Sequence, residues 1–344
     1  ELVLLHEKNR GLLKARRESF EYLSLAESRR QPFRTGTPGY VPAVPAKPGA
    51  DDIAYTVADV ASYIDWTYFF LAWELKGRYP EILDDSAAGA EAKKLLDDAR
   101  RMLQRVQDEQ LLEIRGAYGI FPAASDGDDI LIYAGEDRFT VRERLVCLRQ
   151  QLKKSDGSPY LCHADYLAAT GSGIRDWIGA FAVSAGFGVE EHAAEMKAKG
   201  DDYSAIMLKI LADRLAEAAA EKLHEDVRKT LWGYSPDEAF DVSSLLRTAY
   251  RGIRPAPGYP PCPDHREKEK IFALLDASRR TGMSLTDTFM MVPAASVSGW
   301  YFSHPESRYF SVGKLLRDQT ADFAARRGES LEETERWLRT ELNY

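Results

Sequence analysis

Three groups of residues have the types and spacing for binding chemistry, and none of them makes a catalytic set. Asp213, Glu217 and Glu221 stand at i, i+4 and i+8. In a helix their carboxylates share one side, where unpartnered like charges cost roughly 0.2–0.5 kcal/mol per pair. Such a row is either a solvated acidic face, with Arg214 and Lys222 beside it, or a wall part of which meets a cationic ligand, with Ala216, Ala218, Ala219 and Ala220 letting something pack close. Asp65 lies inside the apolar run YIDWTYFF. A buried carboxylate needs a fixed partner, and capping a helix is the plainest way to find one. Residues 251–265, RGIRPAPGYPPCPDH, contain five prolines and two glycines. The prolines fix φ and remove backbone donors, so the segment is either a stiff connector or a cradle that loses little entropy on binding. In a cradle, Arg254 can fork onto a carboxylate, and the backbone near Ala256 and Gly258 can meet the polar edges of a small molecule.

The remaining reactive side chains are dispersed. His6, His163, His192, His224, His265 and His304 define no nucleophile triad, and Cys147, Cys162 and Cys262 are an odd, widely spaced set that outlines no zinc site and fits a reducing compartment. GSG at 171–173 and GFG at 186–188 lack the strand, turn and helix that a dinucleotide loop requires. No catalytic residue and no metal ligand is assigned. The net charge of −8 disfavours non-specific nucleic-acid binding, which needs a basic face. No run approaches the ~18–20 apolar residues of a membrane span, and no secretion signal opens the chain. A cytoplasmic protein with neither nucleic-acid nor membrane partners is expected, and the start at Glu1 suggests a piece of something longer.

The elements that must position these residues are partly readable. Residues 1–31 read as a charged helix, and 32–50, rich in proline, as an extended connection. VADVASYIDWTYFFLAWEL suits a buried helix or a helix entry, and residues 87–110 repeat Leu95, Leu96, Met102, Leu103 and Val106 at helical spacing. AYGIF (117–121) and DILIY (129–133), separated by PAASDGD, read as a hairpin, and DWIGAFAVSAGFG as a buried strand. Helices are expected over 139–153, 189–230, SSLLRTAYRG, 266–280, 311–326 and 329–341. Strands and helices mix without βαβ alternation, which indicates an α+β domain.

In order from about residue 53 to the C-terminus, the chain carries YIDWTYFFLAWELKGRYPEIL, RGAYGIFPAASDGDDI, DWIGAFAV, DDYSAIMLKILADRLAEAAAEKLHEDVRK, WGYSP, RGIRPAPGYPPCPDH, TGMSLTDTFMMVPAASVSGWYFSHPESRYF and LEETERWL. This series resembles the C-terminal activation domain of cobalamin-dependent methionine synthase. It departs from the family at Ala124, at Pro261 and in VPAAS, none of them a named ligand position. The resemblance implies a single C-shaped α+β domain, a central twisted antiparallel sheet flanked by helices, over 53–344. Residues 1–31 would be the tail from a cobalamin-binding module and 32–52 a proline-rich linker.

It also implies a monomeric methyltransferase module that binds S-adenosylmethionine and supports reductive methylation of cob(II)alamin to methylcobalamin, with an electron from flavodoxin or an equivalent reductase. Cobalt is the nucleophile, so the domain needs no acid or base of its own. By motif, Arg254 takes the ligand carboxylate, Asp65 and Glu217 take the cationic end or the ribose in an order left open, and Ala256 and Gly258 offer backbone contacts. Tyr309 and Phe310 line the cleft, Tyr259 faces the corrin and Asp213 the cobalamin module, while His265 becomes a structural cap or an interface residue. Cobalamin would be held by a module outside this chain, and zinc only by the full-length enzyme, since no D-x-H-x-x-G motif, zinc-binding cysteine set or folate barrel is present. A stand-alone activator of a separate cobalamin protein is the alternative. An independent methyltransferase is disfavoured by the lack of a general base and of a glycine-rich strand-turn-helix.

Overall fold

Two long apolar strands organise the molecule, β2 (Glu113–Asp126) and β5 (Asp176–Phe187), paired antiparallel from Glu113↔Phe187 to Ala123↔Asp176. The computed structural model describes residues 20–33 and 40–344. Around that pair the sheet runs β4 (Val141–Val146), β3 (Asp129–Tyr133), β2, β5 and β8 (Ser296–Tyr301), with β1 (Gly49–Tyr55) on β2. β1 and β3 share one edge of β2: Gly49 pairs with Ile120, and β3 begins at Ala123↔Ile132. Pro122 falls in the gap between them, which is where a central strand can hold a residue without an N–H. A two-stranded ribbon, β6 (Ser284–Leu285) and β7 (Met291–Val292), stands apart.

Both faces of the sheet are buried, so β2 and β5 read as nearly continuous apolar runs rather than alternating ones. Period two still sorts them. Ile114, Tyr118, Ile120, Trp177, Phe181 and Val183 join the core under the Asp202–Asp226 helix, while Ala117, Phe121, Ala123, Ile178 and Ala182 join the core under the Glu267–Leu275 and Ala277–Thr281 helices. The Asp202–Asp226 helix starts at Asp201, whose carboxylate accepts from the Ser204 N–H at 3.0 Å. Ala216, Ala218, Ala219 and Ala220 on it are almost wholly buried within the first core. The alanines therefore let protein pack close to protein.

Other expectations change in detail. The amphipathic helix is observed at Gly89–Asp108. The helical signal over 189–230 is two helices, Val189–Ala198 and Asp202–Asp226, broken at Gly200 (φ +78°). That over 266–280 is broken at Asp276 (φ +51°), SSLLRTAYRG is helical only within Val242–Leu246, and the last two helices are Arg317–Arg327 and Leu331–Trp337. The hairpin is present, but PAASD belongs to β2, and the turn sits at Gly127-Asp128. Residues 139–153 contain β4 and no helix. VRERLV is rich in helix formers, yet pairing with β3 decides, and Arg144 reaches Asp129 at 2.7 Å and Asp126 at 3.2 Å from an edge that such charges protect.

Of the expected N-terminal helix, residues 1–19, with His6, lie outside the described residues. Residues 20–33 contain only the short helix Leu25–Ser28 and lie on the body of the domain: Leu25 is buried, its N–H donates to Asp318 at 2.6 Å, and Arg29 pairs with Asp128 and Asp322, each at 2.7 Å. The proline-rich segment leads directly into β1, which starts at Gly49. Among the described residues, no helix is long and apolar enough to cross a membrane.

Candidate functional site

A cleft of about 810 Å³ opens on the same face as the Asp202–Asp226 helix, and Phe181 of β5 and Val297 of β8 line it from the sheet. Arg214, Glu217 and Glu221 line it from the helix, and Tyr63, Asp65 and Tyr68 from the start of the Trp66–Ala72 helix. Residues 254–256 and 259–261 add the proline-rich wall, and Tyr309, Phe310 and Ser311 another. Seven of the eight expected site residues are thereby brought together: Asp65, Glu217, Arg254, Ala256, Tyr259, Tyr309 and Phe310.

The proline-rich wall keeps its shape by extending the sheet. Ile253 and Phe302 exchange both backbone hydrogen bonds at 3.0 Å, and the Pro255 carbonyl accepts from the Trp300 N–H at 2.9 Å. The Pro260 carbonyl accepts from Val312 at 3.0 Å, which ties the wall to the segment carrying Tyr309 and Phe310. Prolines lose nothing here, because only their carbonyls are needed. Among the described residues the Ala256 N–H has no protein acceptor, which leaves it available to a ligand.

Gly258 is the eighth expected residue and is not a wall residue. Its N–H donates to the Cys262 carbonyl at 2.7 Å, and it turns the chain at φ +94° with the His265 ring against its Cα. The amide expected to meet a ligand is thus already bonded within the segment, and glycine is required by the turn. A Cβ there would lie 2.3 Å from His265 Cε1. Gly258→Ala is expected to lower stability by about 2 kcal/mol or more, from the left-handed backbone and the clash together. Urea unfolding checks this, and adding His265→Ala should recover only the part due to the clash. His265 itself accepts a hydrogen bond at Nδ1 from Lys268 Nζ at 2.7 Å, and burial and that cation push its pKa down. It is a packing residue.

Arg254 is held at both ends. Its N–H donates to Tyr309 Oη at 3.0 Å, Nη1 donates to Tyr250 Oη at 2.9 Å, and Nη1 forms an ion pair with Glu221 Oε2 at 2.8 Å. Burial weakens its hold on a proton, but Tyr250 and Glu221 more than restore it, so the guanidinium is a fixed charge. Glu221 is 4% exposed, and its buried Oε1 has no hydrogen-bond partner among the described residues. Asp65 is both an N-cap, accepting from the Thr67 N–H at 2.9 Å, and a cleft residue. Its two readings from sequence are therefore compatible. Of the acidic row, Glu217 and Glu221 line the cleft, whereas Asp213 is exposed outside it. Tyr259, 57% exposed, stands at the rim. Phe310 is fixed from behind by the His163 ring at 4.9 Å.

Sequence reasoning missed Tyr63, Tyr68, Arg214 and Tyr250 and did not place Glu221 in the site. The available signals were Glu221 one turn beyond Glu217 and Tyr250 four residues before Arg254. Among the described residues no cluster of His, Cys, Asp and Glu could hold a metal ion.

Residues 56–328 match the protein family described as vitamin B12 dependent methionine synthase, activation domain. A solved structure, the crystal structure of the MetH reactivation domain bound to AdoHcy, is 47% identical, with a TM-score of 0.91 over 94% of this chain and 99% of that one.

Proposed function

The chain belongs to the family of vitamin B12 dependent methionine synthase activation domains, and on that premise we propose that its cleft binds S-adenosylmethionine and presents it to the cobalamin module during reactivation. The observation that carries this reading is the convergence of Arg254 with Asp65, Glu217 and Glu221 on one cleft. A ligand with a carboxylate, an ammonium and a sulfonium calls for that mixture of charges, and the solved relative was bound to the demethylated form of the same molecule. When bound, S-adenosylmethionine supplies an electrophilic methyl group; the cobalt that receives it belongs to another module.

The work of this chain is to bind, orient and exclude. Arg254 Nε and Nη2 make no hydrogen bond within the described protein and are free to take the carboxylate. Asp65 and Glu217 balance the cationic end or hold the ribose, the Ala256 N–H offers a backbone contact, and Tyr309 and Phe310 wall the ligand in. Tyr259 at the rim is placed to face the corrin. The partners in this reading are the cobalamin module of the same polypeptide and flavodoxin or an equivalent electron donor.

Calorimetry of the chain with S-adenosylmethionine tests the proposal: one site is expected, and a folded chain that binds none overturns it. Asp65→Asn keeps an oxygen that can cap Thr67 but removes the charge. It should leave stability within about 0.5 kcal/mol and weaken the ligand by about fivefold to tenfold, the size of one charge-assisted contact. Unchanged affinity would leave Asp65 as a cap alone.

A further inference from the structure

We propose that Glu221 and Tyr250 are positioning residues for ligand recognition, acting through Arg254; the inference rests on the cleft binding S-adenosylmethionine. A guanidinium offers five N–H donors in a rigid fork. Arg254 Nη1 donates to Tyr250 Oη at 2.9 Å and forms an ion pair with Glu221 Oε2 at 2.8 Å. Nη1 is thereby held on the protein side by one hydrogen bond and one ion pair, and the Nε–Nη2 edge is the one left for a carboxylate.

Each holder is itself fixed. Tyr250 is buried, with the Arg228 guanidinium 4.1 Å from its ring centroid on one side and His224 edge-on at 4.8 Å on another. Arg228 is locked in turn by Glu238, which accepts from Nε at 2.8 Å and from Nη2 at 2.7 Å. Glu221 sits on the rigid Asp202–Asp226 helix. An ion pair present only for stability would satisfy both oxygens of a buried carboxylate, yet among the described residues Glu221 Oε1 has no hydrogen-bond partner. The arrangement instead meets the requirement of a binding group whose rotamer is set before the ligand arrives.

The test compares S-adenosylmethionine with 5′-methylthioadenosine, the neutral thioether that keeps the adenosine and methyl groups but lacks the amino-acid end. In the full chain, Glu221→Gln should weaken S-adenosylmethionine by about tenfold and leave methylthioadenosine unchanged within about twofold, and Tyr250→Phe should show the same pattern at about threefold. Combined with Arg254→Ala, neither substitution should weaken S-adenosylmethionine further, because the residue they position is gone. Tighter binding by Glu221→Gln would mean that Glu221 competes with the ligand for Arg254, and equal losses for both ligands would mean a structural role; either result overturns the proposal. If Glu221→Gln does not fold, Tyr250→Phe decides alone. A folded parent chain that binds neither ligand refutes the S-adenosylmethionine reading instead.

Discussion

Arg254→Ala is expected to reduce affinity for S-adenosylmethionine by about 30-fold or more, the equivalent of the roughly 2–5 kcal/mol lost when one side of a buried charge pair is truncated. Two effects add. The ligand carboxylate loses its forked donor, and Glu221, 4% exposed, loses the cation bonded to it at 2.8 Å. The second effect also lowers stability, so the alanine variant alone does not separate binding from folding. Arg254→Lys does. An ammonium can neutralise Glu221 and recover much of the stability, but it is a point charge and cannot bond Glu221, Tyr250 and a carboxylate together in one plane. The lysine variant should therefore melt near the parent temperature while binding at least about tenfold more weakly. Full recovery of affinity by lysine would show that only charge is needed, and that the fork has no part in recognition.

How far the sequence reveals this site depends on which physical information is local. Arg254, Asp65, Glu217 and Tyr309 lie in separate motif stretches, and the resemblance of those stretches to one family is what groups the residues that line one cleft before any fold is known. The apolar run at 176–187 and the period of Leu95, Leu96, Met102, Leu103 and Val106 likewise report their own burial. The Glu221–Arg254 pair is not local. Glu221 is one of three acids in a row, and only the approach of the proline-rich wall to the helix makes it the buried member while Asp213 stays exposed. At Gly258 a glycine beside a ligand and a glycine in a positive-φ turn leave the same mark on a sequence, and the structure shows the turn. At 139–153 the Arg and Glu side chains have good helix propensity, but a free edge of β3 is a stronger determinant than propensity. The alanines at 216–220 permit close approach without saying whether the neighbour is a ligand or a strand.

The same non-local logic gives the largest expected change in stability, at Arg149. All five of its side-chain donors are used inside the protein: Nε and Nη2 reach Asp128 Oδ1 at 2.9 and 2.6 Å, Nη1 and Nη2 reach Asp165 at 2.7 Å each, and Nη1 also reaches the Tyr160 carbonyl at 2.6 Å. The cluster ties β3 and β4 to the 160–166 turn, from which His163 and Tyr166 back the cleft residue Phe310. It also anchors residues 20–33, because Asp128 accepts from Arg29 Nε at 2.7 Å. Arg149→Ala should cost about 3–5 kcal/mol at neutral pH, the penalty for removing the cation that buried carboxylates share.

The pH dependence identifies the cause. Burial pushes the Asp128 carboxyl up, but Arg149 and Arg29 prevail and hold it below its ordinary value of 3.8, so its contribution is present above that pH and is lost as pH falls through the depressed value. For Asp165 burial prevails over Arg149, its pKa is raised, and its charged form already opposes folding as pH rises above 3.8. Without Arg149 the first contribution disappears and the second opposition grows. The first change enlarges the deficit only in the acid range, below roughly pH 5, whereas the growing opposition of the buried carboxylates goes on enlarging it toward neutrality, and both shrink when the carboxylates are protonated. Urea unfolding at pH 7.5 and pH 5 should therefore show a clearly smaller deficit at the lower pH, and adding Asp165→Asn to the alanine variant should recover part of the loss at pH 7.5. An equal deficit at both values would assign the effect to the missing side-chain volume, and the charge cluster would then be incidental to how the cleft is held.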